Sequence, residues 1–476
     1  MSKQDRNCQI STPKKYVEEM LDYVGYKQDL WGHRVLENSC GEGNILVEIV
    51  KRYVADAKRN QYAPGEIVEG LENDIVAYEV DQEKIEICLK RLNKVALSEN
   101  LPEIKWNIKH QDFLKSDEQS AEFVIGNPPY ITYHDLKQEE REFLQKNFTV
   151  CQKGRFDYCY AFIEASVRAL ADDGKMIYLI PFSIFRNRFA ARLRVFLRSY
   201  IAKVVDYRSI NVFPGITCSA SLIFCENRCL QNRVEYVDIL AQKKVYVERV
   251  SLSNKGDKWI FYQSKRGNRR FGDYFNVHNS VATLCNKAFL FSTEQVEGKY
   301  YIIDGMPVEK EATLPAVSSK SSRNLKKCGE INRIIFPYKL TDGRIVHYSE
   351  EEYKALFPCA WNYLYQFYDD LIKRKADEKA KWFEYGRSQA LLEFSGEKLV
   401  IPMVITGSTN AHIAEQNAIP YAGYFITVKQ KDDIPLKDAK TALESDEFYQ
   451  YVQEVGTPTT ISSYRVSVHD INEFMF

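Results

Sequence analysis

The chain has 476 residues, 45% hydrophobic and 27% charged, with a formal net charge of zero. This is the composition of an ordinary soluble globular protein of two or three domains. It excludes a tail that coats nucleic acid by bulk charge, though not a local basic face. No apolar run reaches the roughly 18 residues of a membrane span, and the opening MSKQDRNCQI lacks the apolar core of a secretory signal. A cytoplasmic location and no membrane partner are expected. The 11 cysteines are scattered without a CxxC pair. Cys218, Cys225 and Cys229 lie closest together, and reduced core thiols are expected there rather than a metal site.

Through the first half, helix-like and strand-like patterns alternate as in an α/β sheet. Thr12-Pro13 opens a helix, and Tyr16, Val17, Met20, Leu21 and Val24 follow at helical spacing. RVLEN (34–38) reads as a buried strand and GNILVEIVKRYV (43–54) as a helix. Residues 56–74 read as a polar insertion. IVAYEV (75–80) is a strand that leads into an amphipathic helix. IKWNIK (104–109), EFVIG (122–126), GKMIYLIP (174–181), AKVVDY (202–207) and SASLIFCE (219–226) are further strands, and 157–170 and RLRVFLRSY are helices. Seven strands are expected. The last pair has no room for a crossover helix, so a hairpin with an antiparallel final strand is predicted. Beyond about residue 232 the rhythm becomes irregular and basic and aromatic residues interleave, most densely in KWIFYQSKRGNRRF (258–271) and KSSRNLKK (320–327).

Four short pieces carry candidate chemistry. VLENSCGEGNILVEI joins a strand to a helix through a glycine-containing turn, which can admit a ligand at the strand's C-terminal end or simply be a tight turn. Glu79 and Asp81 stand at the end of the next strand, where an acid can accept from ribose hydroxyls. Their distance from the glycine turn argues against a simple dehydrogenase. Asp112 and Phe113 follow a third strand; the carboxylate can accept from an amino group, or be an ordinary turn residue. FVIGNPPYITY ends a fourth strand. There Asn127 offers a side-chain carbonyl and Pro128 a backbone carbonyl without a competing N–H, with the Tyr130 ring nearby.

In this order the pieces resemble the γ-class adenine-N6 DNA methyltransferases, the TaqI-like and Eco57I-like group, over roughly residues 8–230. STPKKYVEEML is similar to the family's N-terminal cofactor motif, and VLENSCGEGN to its methionine-moiety site. The resemblance implies a Rossmann-like, seven-stranded S-adenosylmethionine-dependent methyltransferase sheet over 1–235 and an α+β DNA target-recognition domain over 240–476. It implies S-adenosylmethionine as cofactor, held by Thr12, Glu37, Ser39, Gly41, Gly43, Glu79, Val80, Asp112, Phe113 and Phe162, and no metal. It makes Asn127, Pro128, Pro129 and Tyr130 the catalytic set, with Tyr130 and Phe213 against the target base. WFEYGR (382–387), after the basic helix-like YDDLIKRKADEKAK, looks like a recurring element of such C-terminal regions.

The target amine's lone pair is delocalised into its ring. Two fixed acceptors would favour a pyramidal, nucleophilic nitrogen, with in-line positioning doing most of the rest. Inside a duplex the base has to be flipped out. DNA contacts are expected from Lys258, Lys265, Arg266, Arg269, Arg270, Lys320, Arg323, Lys326 and Lys327. Double-stranded DNA is thus the expected partner, in a bacterial or archaeal restriction-modification setting, with a separate endonuclease as a further possible partner. The same tetrapeptide serves RNA and protein-glutamine amino-methyltransferases, which is the alternative activity. A non-catalytic specificity subunit on the same fold is the non-enzymatic one.

Overall fold

The computed structural model describes residues 11–117, 120–213, 215, 219–229, 231–252, 257–293, 295–320, 331–341, 344–387, 391, 396–429 and 434–476. The chain divides into two compact units, 1–263 with 457–462, and 264–456 with 463–476.

The first unit opens with helix α1 (Lys14–Val24), whose apolar residues Tyr16, Val17, Met20, Leu21 and Val24 are all buried. Gly25 ends it in the left-handed conformation, its N–H closing on the last carbonyls of the helix. Strand β1 (Val35–Glu37) leads through the glycine turn to α2 (Asn44–Arg59). Residues 56–74 depart from the expected polar insertion. They continue α2 and then form α3 (Pro64–Asp74), which buries Ile67, Gly70 and Leu71. Only one narrow stripe of α3 is apolar, so its charged majority masks the helical period.

β2 (Ile75–Glu79), α4 (Gln82–Ser98), β3 (Asn107–His110), β4 (Ala121–Gly126), α5 (Gln138–Asn147), α6 (Tyr158–Arg168), β5 (Leu170–Pro181), α7 (Ala191–Leu197), β6 (Ile201–Tyr207) and β7 (Ala220–Glu226) follow. The strands lie in the order β3-β2-β1-β4-β5-β7-β6. β7 is antiparallel to both neighbours, as the missing crossover requires. This strand order is the Rossmann-like, seven-stranded arrangement expected from the sequence.

The sheet does not stop at seven strands. β8 (Arg233–Asp238) pairs parallel with β6, and β9 (Lys243–Glu248) returns antiparallel to β8. The expected domain limit near 235–240 therefore falls inside the sheet, and the first unit runs on to residue 263. In its last stretch Trp259 stacks on Phe185 and Phe261 on Tyr236. One apolar cluster lies on each face of the sheet, and these two aromatics belong to the cluster that also holds Phe182 and Phe185.

The second unit is built from small sheets. One has four strands, with Phe275–Asn279 paired antiparallel to Tyr424–Val428, which is paired in turn to Lys398–Ile401. Its core is aromatic, including Tyr353, Trp361, Phe383 and Tyr385. The basic helix read over 368–381 is helical only at Tyr368–Ile372. Among the described residues no helix is long and apolar enough to cross a membrane. Cys225 is a buried free thiol, Cys229 is a half-buried one, and Cys218 lies outside the described residues.

Candidate active site

β1 is flanked by β2 and β4. From β1 the chain winds outward through β2 and β3, then returns to β4 on the opposite side. That reversal opens a crevice at the C-terminal ends of β1 and β4, the place where open α/β sheets bind ligands. The cleft found there is lined by Ser11, Thr12, Glu37, Ser39, Cys40, Gly41, Glu42, Asn44, Ile45, Lys84 and Asn127 to Tyr130. Two stretches far apart in sequence, the glycine turn and the proline pair, are thus brought face to face.

Backbone geometry shapes the floor. Gly41 and Gly43 have φ of 53° and 78°, a region that other residues enter at a cost. A Cβ at Gly43 would also stand 2.4 Å from the Cys88 sulfur, so glycine is required twice over. The Glu79 carboxylate fixes the turn from the side: Oε2 accepts from Gly41 N at 2.9 Å, and Oε1 from Val80 N at 2.9 Å and Asp81 N at 3.0 Å. Beneath the turn a buried polar triangle joins β1, α6 and β5. Asn38 Nδ2 donates to Ser166 Oγ at 2.7 Å, and the Tyr178 hydroxyl donates to Asn38 Oδ1 at 2.6 Å.

Glu37 is the unusual group. It is 2% exposed, yet its carboxyl lines the cleft, and Oε2 has no hydrogen-bond partner among the described residues. Burial first, then the neighbouring Cys88 and Glu79, hold its carboxyl well above the usual carboxylate range. A buried acceptor without a donor is costly unless a ligand satisfies it. An ammonium group is the matching chemistry, so this end of the cleft fits the amino-acid end of S-adenosylmethionine.

The Asn127–Tyr130 tetrapeptide is tied to both other motifs. Ser39 Oγ donates to the Asn127 carbonyl at 3.3 Å, and Asn127 Nδ2 donates to Thr12 Oγ1 at 3.2 Å. With its amide nitrogen turned to Thr12, the side chain carries its acceptor oxygen on the other branch. The Tyr130 hydroxyl donates to the Leu179 carbonyl of β5 at 2.8 Å, which fixes the ring beside the cleft.

The remaining expected residues spread beyond the cleft lining. Asp112 caps a short helical turn, accepting from Leu114 N at 3.0 Å, with Lys115 at 3.5 Å. Phe113 is buried edge-on to Tyr78, and Phe162 packs against Tyr158. Val80 stands out as 58% exposed at the end of β2. Phe213, expected against the target base, is fully buried in the core with Val205, Val212 and Leu222. An apolar ring without a polar handle packs there at no desolvation cost. Lys84 and Asn44 line the cleft unanticipated. For Lys84 the one signal is its place in the first turn of the helix that follows the strand-end acid.

The basic stretch behaves differently from expectation. Lys258 belongs to the first unit and is half-buried. Arg266 is a core ion-pair residue, its side chain 5% exposed and its Nη1 2.8 Å from Glu454. Arg270 pairs with Asp273 and Glu473. Arg266 and Arg270 found carboxylate partners, which a count of basic residues alone does not reveal. Lys265, Arg269 and Lys320 are exposed, whereas Arg323, Lys326 and Lys327 lie outside the described residues.

Residues 39–213 match the family model described as Eco57I restriction-modification methylase. The chain is 25% identical over 348 residues to the Type II restriction enzyme and methyltransferase RM.Eco57I of Escherichia coli, covering 64% of this chain and 35% of that protein. It is 24% identical over 429 residues to the Type II methyltransferase M.BstVI of Geobacillus stearothermophilus, covering 79% and 73%. The chain thus spans about a third of the first relative and about three quarters of the second. Among solved structures, the Type IIL restriction-modification enzyme MmeI in complex with DNA matches in fold with a TM-score of 0.60 at 13% identity. That match covers 97% of this chain and 64% of MmeI. The cleft, its motif order and these matches agree, and residues 39–213 are similar to the Eco57I restriction-modification methylase family.

Proposed function

We propose that the protein is a site-specific DNA adenine-N6 methyltransferase, the modification activity of a restriction-modification system. The observation that carries this is the convergence of Asn127, Pro128 and Tyr130 with the glycine turn at one cleft, joined through Ser39 and Thr12. S-adenosylmethionine supplies an activated methyl group when bound. Thr12, Glu37, Ser39, Gly41 and Gly43 hold its amino-acid end. Glu79, Val80, Asp112, Phe113 and Phe162 serve its ribose and adenine.

Asn127 Oδ1 and the Pro128 carbonyl accept the two N–H bonds of the target amine. That draws its lone pair out of the ring and aims it at the methyl group. The two prolines keep these acceptors fixed and free of competing N–H groups. Tyr130, anchored through its hydroxyl, stacks on the extruded base; such a stack is worth about 1–3 kcal/mol. No enzyme nucleophile is required. DNA as substrate draws support from the relatives, which are restriction-modification enzymes, and from MmeI, solved on DNA. Duplex DNA is accordingly the partner proposed for the second unit.

The test is to incubate the protein with tritium-labelled S-adenosylmethionine and plasmid DNA, bulk RNA or a glutamine-bearing protein in parallel. Label should enter the DNA alone. Label in RNA or protein instead would transfer the reading to the alternative amine substrates, and cofactor binding without any transfer would point to a specificity subunit.

A further inference from the structure

Within the second unit, residues 279–286 run from the end of a strand into a short helix, and one residue of that loop breaks the backbone rules. Leu284 has φ of 56°, in the left-handed region that a branched side chain enters only under strain. It is also 45% exposed, so burial does not compensate for that strain.

The surroundings hold the loop in place. Arg374 Nη1 donates to the Thr283 carbonyl at 2.5 Å, and Gly386 N donates to the same carbonyl at 3.2 Å. Arg387 N donates to the Ala282 carbonyl at 3.0 Å, and Thr283 Oγ1 donates to Asn286 Oδ1 at 2.6 Å. Leu284 lies over Gly386, where a Cβ would come within 2.5 Å of its Cδ1. The glycine of WFEYGR is therefore the seat of the strained leucine. Arg374 also donates to the Trp382 and Glu384 carbonyls, so one guanidinium clamps both segments.

This loop lines an open cleft whose rim presents Asn279, Asn286, Arg387 and Tyr421 around Leu284. Arg387 is half exposed, with one edge on Asp377 at 2.9 Å. Asparagine and arginine are the side chains that pair with adenine and guanine edges. An exposed leucine supplies the apolar contact for a thymine methyl or a wedge between base steps. Strained residues that their surroundings over-determine cluster at ligand-contacting segments.

We infer that the 279–286 loop, with Leu284 at its tip and Arg387 beside it, reads base edges of the DNA target site. The inference rests on the DNA-methylating reading and adds to it the surface that sets sequence specificity.

The experiment first maps the site methylated by the wild type. It then compares wild type, Leu284→Gly and Arg387→Ala on duplexes carrying that site and on duplexes with single base-pair changes. Leu284→Gly relieves the backbone strain, so its Tm should equal or exceed that of the wild type. Discrimination at one or two base positions should fall about 5- to 150-fold in each variant, the worth of one base contact. S-adenosylmethionine affinity and binding to unrelated DNA should not change. Unchanged discrimination in both variants overturns the inference while leaving the methyltransferase reading intact. A lowered Tm for Leu284→Gly with unchanged discrimination also overturns it, since the leucine would then serve packing. A wild type that methylates no DNA removes both readings together.

Discussion

Glu37 and Trp259 are both almost completely buried, at 2% and 1% exposure, yet one lines a cleft and the other fills a core. Glu37 ends a strand at the point where the sheet reverses its winding order, so its carboxyl faces the crevice from below. Trp259 follows the sheet's added hairpin and closes over Phe185. Both stretches look functional by composition. The difference lies in what the backbone forces. At strand ends with left-handed glycines and paired prolines, polar groups line a cleft. A run of interleaved aromatic and basic residues can satisfy itself, the rings by stacking and the arginines by ion pairs.

The sharpest way to break this contrast is to remove one acceptor from the cleft. Asn127→Ala should lower kcat by about 10²- to 10³-fold, the usual cost of one preorganised group at the reacting atom. Cofactor affinity should remain near wild type, because the role proposed for Asn127 is on the target amine. Single-turnover methyl transfer and cofactor titration by calorimetry read the two halves separately.

The matching change in the basic stretch should act on stability instead. Arg266→Ala leaves the Glu454 carboxylate buried without its cation and should cost about 3 kcal/mol of unfolding free energy. Denaturant unfolding measures this. A stable variant that had lost only DNA affinity would show that Arg266 works as a surface contact after all.

Glu37 allows a test that joins stability to pH. Its native carboxyl titrates above the ordinary range, so the native state keeps a proton that the unfolded chain releases first. Wild-type stability should fall as pH rises from the ordinary carboxylate range toward that raised value. Glu37→Gln lacks this titration, so its stability relative to wild type should grow across the same window in pH-dependent melts. The same variant should bind S-adenosylmethionine more weakly by about 1.5–3 kcal/mol, for the missing charged hydrogen bond. Equal cofactor affinity in both proteins would remove Glu37 from the ligand's amino-acid end.

Tyr130→Phe keeps the stacking ring and loses the bond to the Leu179 carbonyl. A loss of about 1 kcal/mol in transfer efficiency is expected. A 2-aminopurine at the target position should still brighten on extrusion. The smallest effect belongs to the exposed cations. Replacing Lys265 and Arg269 by Ala should leave the Tm unchanged. The slope of DNA affinity against log salt should flatten by up to about 0.9 for each phosphate that is no longer neutralised.

Much of the first unit is legible because short-range signals agree there. The α1 apolar residues recur at helical spacing and all five are buried. β2 is an unbroken apolar run that ends in an acid, and NPPY has few structural reasons to stand at the end of a buried strand. The polar look of α3 hides a helix because only Ile67, Gly70 and Leu71 face inward. β9 alternates half-buried and exposed residues along a sheet edge, so it carries little hydrophobic signal. In the second unit, short strands are fixed by distant partners, as when Phe275–Asn279 pairs with Tyr424–Val428. Local propensity carries no trace of such pairings. Lys84 is equally hidden, since one lysine on an amphipathic helix is ordinary until the helix is docked beside a cleft.

The most direct measurement is the identity of the methylated atom. DNA labelled by the wild-type protein, digested to nucleosides and separated by mass spectrometry, should yield N6-methyladenine within one recognition sequence. Label at a cytosine, or adenine methylation spread over all sequences, would contradict the account of a site-specific enzyme built on Asn127 and Pro128.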